Sequence, residues 1–168
     1  MHKNMLRCAM LSLLLVMTNP SAKAASPVFA SGYTDLAKDC RQAFADAELE
    51  EGQDNALRCK GSDGYGLFIY FSAEDAMLTV ENARGDTVFD TPLTLSDYEH
   101  GKVEWRLADG HAFAIIVRMK PKGAPETLEI RGIDSHRTIH SSVPVAGRKN
   151  ANAQARAEAD KAYLAGVR

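Results

Sequence analysis

Four histidines, His100, His111, His136 and His140, are the first residues to weigh as chemistry. His136 and His140 have the four-residue spacing of a helical metal pair, with Asp134 two residues upstream. Their segment reads as extended, however, and in a strand that spacing separates the side chains by roughly 13 Å. No metal and no cofactor is expected. Glu104 and Arg106 alternate onto one face of a strand, and Arg118 is expected across the ladder from them. A carboxylate between two guanidiniums makes either a sheet-face ion network or a small ligand site. Gly61-Ser62-Asp63-Gly64-Tyr65-Gly66 is glycine-rich but lacks the Lys-Ser/Thr and following helix of a phosphate loop. It reads as a turn, with Gly66 inside a strand where a neighbour comes close. No Gly-x-Ser-x-Gly elbow is present, and no base stands beside an activated Ser or Cys. No catalytic residue is therefore assigned, and the chain is read as not an enzyme.

Cys40 and Cys59 are a pair of another kind. An even pair in an exported chain is expected to close a disulfide, which stabilises a loop of this length by about 3 kcal/mol. Export follows from the start of the sequence. His2, Lys3 and Arg7 precede the apolar run 10–17, Pro20 breaks it, and Ala22-Lys23-Ala24 offers small residues at the recognition positions for cleavage. Residues 1–24 are read as a signal peptide cut near Ala24, with Cys8 leaving in the leader. The apolar run is about half of a bilayer span, so no membrane span is expected in the mature form. Without Lys3, Arg7 and Lys23 the 20 basic residues fall to 17 against 22 acidic ones, a net charge of −5. This disfavours a nucleic-acid partner, which needs a basic face.

The elements that must position these residues are mostly strands. Residues 25–34 are small and polar and read as a flexible mature terminus. The stretch 35–168 reads as one domain of a size that can bury a core. A short helix or turn is expected over 35–47, with Leu36, Cys40 and Phe44 on one face, and an acidic loop over 48–55. Strands are expected at 56–60, 65–71, 77–81 and 87–90, with 65–71 central and covered on both faces. An irregular link covers 91–101. Residues 102–107 and 112–119 form the clearest hairpin. A three-residue loop, Ala108-Asp109-Gly110, would put Val103, Trp105, Leu107, Phe113, Ile115 and Val117 on one face. Ala112, Ala114, Ile116 and Arg118 then join Lys102, Glu104 and Arg106 on the other. Trp105 is expected in the core. Strands at 127–133 and 138–145 follow. Residues 151–165 form an alanine-rich helix that ends near Gly166. Ala155, Ala159, Ala162 and Tyr163 share a shallow face, so loose docking is expected. The fold class is mainly β: a small antiparallel sheet, sandwich or partly open barrel with a C-terminal helix.

Several strings together carry a resemblance. They are Asp39-Cys40, Cys59 with Gly61 to Tyr65, Val103-Glu104-Trp105-Arg106-Leu107 with its sequel to Arg118, and Ala151 to Asp160 with its Ala-Arg-x-x-Ala-Asp ending. The chain resembles a family of small proteins exported to the periplasm by proteobacteria. The resemblance implies a periplasmic or secreted location and this fold, and carries no activity. In that pattern a second cysteine pair ties the strand before the helix to the C-terminus. Ile139 stands near the expected cysteine here, which implies a looser tail. A weaker architectural likeness is to periplasmic lysozyme inhibitors, although Ser31-Gly32-Tyr33 departs from the spacing of their inhibitory loop. The expected function is a non-catalytic binding or interaction protein of the cell envelope. A lysozyme-inhibitor-like protein and a structural or stress-related envelope accessory are the alternatives. The expected partner is a protein or an envelope component.

Overall fold

The computed structural model describes residues 25–44, 56–71, 75–94, 101–121 and 123–166. Residues 1–24, read above as a signal peptide, and the acidic 48–55 segment lie outside this set. Ten strands form two five-stranded sheets, and every pairing is antiparallel. The strands are β1 (Phe29–Asp35), β2 (Cys40–Gln42), β3 (Ala56–Lys60), β4 (Gly66–Phe71), β5 (Asp75–Glu81), β6 (Thr87–Thr94), β7 (Lys102–Ala108), β8 (His111–Met119), β9 (Thr127–Gly132) and β10 (His140–Pro144). Among the described residues one α-helix, α1 (Ala151–Gly166), follows the last strand. The first sheet has the order β1-β7-β8-β9-β10 and the second β2-β3-β4-β5-β6. The fold is a sandwich and not a closed barrel.

Two cores explain the layering. Between the sheets, Leu67, Ile69, Leu78 and Val80 of the second meet Val103, Trp105, Ile115 and Val117 of the first. On the other side of the first sheet, Phe113, Ala114, Ile116, Leu128 and Ile130 meet Ala151, Ala155 and Ala159 of α1. The first sheet is thus covered on both faces, which is why β7 and β8 are buried at nearly every position, Glu104 and Arg106 included. Trp105 is fully buried. Its indole N–H donates to Thr34 Oγ1 at 3.0 Å, and that hydroxyl donates to the Lys60 carbonyl of the other sheet at 3.1 Å. Gly61 is required by the same ring, because a Cβ there would stand 2.5 Å from Trp105 Cζ2. A second tie runs from the Tyr65 hydroxyl to the Asp134 carboxylate, across the two sheets. Burial first, and that hydrogen bond next, push the Tyr65 pKa up to about 12. Cys40 and Cys59 are directly opposed across β2 and β3 and form the expected disulfide.

Several expectations are corrected. The flexible terminus is a strand from Phe29 onward, because β7 needs an edge partner and β1 pairs with it through Asp35. Of the helix or turn expected over 35–47, the turn forms at 36–39 and Cys40–Gln42 is extended, held by the pairing with β3, while 45–47 lie outside the described residues. The strand β4 is central but covered on one face only, with Leu67 and Ile69 buried and Tyr70 exposed. The strand β6 runs on to Thr94, into the expected irregular link.

The hairpin of β7 and β8 has a two-residue loop, not three. Asp109 (φ 51°) and Gly110 (φ 87°) both take the left-handed conformation, which suits the tight primed turn. The pairing begins Ala108↔His111 and Leu107↔Ala112, then slips to Arg106↔Ala114 and Trp105↔Ile115. Phe113 is the extra residue. This bulge reconciles the short loop with amphipathic faces. It sends Phe113 to the helix side and Ala112 to the inter-sheet core, the reverse of their expected placement. The helix also packs closely. Its alanines at 151, 155 and 159 are buried, since their small side chains let the backbone approach the sheet.

Candidate functional site

Glu104 and Arg106 sit two residues apart in β7, so both point to the helix side of the first sheet. Arg156 and Asp160 sit four residues apart on α1, so both point back. The result is a crossed pair of ion pairs. Arg156 Nε donates to Glu104 Oε1 at 2.6 Å. Arg106 holds Asp160 with Nη2 at 2.7 and 2.8 Å from its two oxygens and Nε at 3.1 Å. Arg106 also donates to the Ala30 carbonyl at 2.8 Å and to the Ser31 hydroxyl, which in turn donates to Glu104 at 2.6 Å. Glu104 and Arg106 are buried, at 7% and 4% exposure. Among the described residues no buried side-chain polar atom lacks a partner. The bond to Glu104 raises the Arg156 pKa, outweighing the opposing effect of burial.

Sequence reasoning placed Glu104 and Arg106 in one network and assigned Arg118 as the second guanidinium on Glu104. Arg156 takes that role. Arg118 pairs instead with Glu126 Oε1 at 3.1 Å, because it stands two residues beyond Ile116, the partner of Glu104 across the ladder. Arg156, Asp160, Ser31 and Tyr33 were missed. The signal available was a charge pair of opposite sign at positions 156 and 160, each following an alanine that buries on the sheet.

Arg118 nonetheless returns to the same place. It lines a hollow of about 220 Å³ at the N-terminal half of α1, together with Glu104 and Arg156. Ile116 and Leu128 make an apolar floor, and Tyr33, Lys102 and Asn152 complete the rim. Tyr33 is 56% exposed, and its hydroxyl accepts from Arg156 Nη2 at 3.1 Å. Lys102, 3.8 Å from Asp35 Oδ2, is also largely exposed. Three cations therefore face one carboxylate, and that carboxylate is already engaged by Arg156 and Ser31. Such a setting attracts an anion with a small apolar body.

The histidines do not converge. His136 lies in a single 3-10 turn, Asp134–His136, with its ring 5.0 Å from Tyr163 and 6.0 Å from Phe113. His140 is exposed at the start of β10. His111 Nδ1 lies 3.4 Å from Asp63, and His100 is outside the described residues. Among the described residues no three His, Cys, Asp or Glu side chains gather as a metal site, and no helix is long and apolar enough to cross a membrane. Ser31-Gly32-Tyr33 belongs to β1 and not to a loop, with the Ser31 hydroxyl spent on Glu104. No protein-family model, curated protein or solved structure matches the chain.

Proposed function

We propose that the protein is a non-catalytic binding protein of the cell envelope and that it takes a small organic anion in the hollow beside Arg156. One observation carries this reading: Lys102, Arg118 and Arg156 line an apolar-floored hollow that a single, already paired carboxylate shares. The side chains best placed for acid–base chemistry, Glu104 and Asp160, are both held by guanidiniums. The Cys40–Cys59 bond and the apolar leader support an oxidising location outside the cytosol.

The test is an NMR titration of the 15N-labelled mature chain with benzoate, using benzamide as the neutral control. Benzoate shifts the amides of Tyr33, Lys102 and Asn152 saturably, and benzamide does not. Arg118→Gln removes a charged hydrogen-bond donor and weakens benzoate by about tenfold. If benzoate and benzamide behave alike, or if the shifts fall elsewhere, the hollow is not an anion site.

A further inference from the structure

The outer face of the second sheet is a separate surface, and its chemistry differs from that of the hollow. Side chains directly opposed in an antiparallel ladder share a face, and the register puts Arg41 opposite Arg58, and Arg58 opposite Phe68. Lys60 follows on the same face. Like charges placed opposite each other across a ladder are destabilising. Here the relief is slight: Glu81 is 3.6 Å from an Arg58 side chain that is itself 61% exposed.

Lys60 is paired with Gly66, and Gly66 with Glu81. The missing side chain at Gly66 opens a hollow of about 560 Å³ under Arg41, Arg58 and Lys60. Its charged lining is those three cations with Asp39 and Glu81, one positive charge in excess. Beyond it the same face is apolar. Arg58 lies 5.4 Å over the Phe68 ring, Phe44 packs edge-on to Phe68, and Tyr70 and Met77 are opposed to each other and each nearly half exposed.

We infer that this face docks an acidic polypeptide segment, with carboxylates over Arg41, Arg58 and Lys60 and apolar side chains along Phe68, Tyr70 and Met77. Charge selects the partner. One surplus positive charge suits monoanionic carboxylates better than dianionic phosphates, and a membrane or nucleic-acid surface needs a broader basic field. The apolar row adjoining the cations suits an extended chain whose alternate residues run from acidic to apolar, because alternate side chains of a strand point to one face.

The test uses the full mature chain and a fluorescein-labelled octapeptide, Glu-Ser-Glu-Ser-Leu-Ser-Phe-Gly, read by fluorescence anisotropy. Its all-glutamine counterpart, inorganic phosphate as competitor and phosphatidylglycerol vesicles are the comparison arms. Binding of the acidic peptide is expected to weaken at least tenfold in Arg58→Glu and in Gly66→Leu. A Cβ at Gly66 meets nothing closer than the Cys59 carbonyl at 3.4 Å, so that variant fills the hollow without disturbing the strand. Arg118→Gln, on the far side of the sandwich, leaves peptide binding unchanged, which separates this surface from the benzoate site. Equal binding of the glutamine peptide, or indifference to both variants, overturns the proposal. So does preference for phosphate or vesicles. If the acidic peptide binds only after Glu48, Glu50 and Glu51 are changed to Gln, the chain's own acidic connection is the occupant and the proposal fails.

Discussion

The outer faces of the two sheets are built from similar residues and put to different uses. On the first sheet, arginine and glutamate sit under a helix that supplies their opposites, Arg156 for Glu104 and Asp160 for Arg106. On the second, Arg41 and Arg58 face each other across a ladder, and Phe68, Tyr70 and Met77 lie on the same face beside them. Pairing makes the first set structural, with ligand chemistry left only at the margin, where Arg118 and Lys102 reach the hollow. On the second, Tyr70 and Met77 keep 44% and 45% of their surface exposed, and Arg58 is exposed beside them. The contrast shows that the same residue types mean scaffold or surface according to what the chain places over them.

That contrast can be broken from the first sheet. Arg106→Ala leaves Asp160 and Glu104 short of a buried partner and should cost about 3–5 kcal/mol in urea denaturation. The volume-matched double change Arg106→Met with Asp160→Leu should recover most of that loss, since it leaves neither charge uncompensated. On the second sheet, Cys40→Ser with Cys59→Ser releases the edge strand β2 and should cost about 3 kcal/mol. The tie between the sheets gives a pH signature. Unfolded tyrosine loses its proton near 10, whereas folded Tyr65 holds it to about 12. The contribution is therefore complete below pH 10 and lost as pH climbs to 12, and Tyr65→Phe should remove that part of the alkaline decline. The smallest effect on stability belongs to the outward face. Met77→Thr should change unfolding free energy by no more than about 1 kcal/mol, while weakening the acidic peptide. A large loss there would mean that the face is packed and not presented.

Much of this architecture was legible in the sequence. Alternation at 77–81, 102–107 and 127–133 marked strands, because one face of each is buried and period two follows from that. The alanine helix and the disulfide were legible for equally local reasons. The misreadings have a common cause in tertiary pairing. Residues 29–35 carry little apolar signal, and they become a strand because β7 offers an unpaired edge. The hairpin register turned on one bulged residue, Phe113, whose placement depends on the aromatic pocket it enters beside Phe29 and Tyr163. Within the site, Glu104 and Arg106 stood out as neighbours in one strand. Arg156 did not, since 50 residues separate it from Arg106 and only the docking of α1 brings it back. The strings Glu-Trp-Arg-Leu and Ala-Arg-x-x-Ala-Asp are thus the two halves of one contact.

Amide hydrogen exchange of the mature chain, alone and with saturating benzoate or the acidic octapeptide, tests the division between the two faces most directly. Benzoate should slow exchange in β1 and the first turns of α1, and the octapeptide should slow it in β2, β3 and β4, each without the other's footprint. Protection by both ligands in one place, or by the octapeptide along α1, would contradict the account.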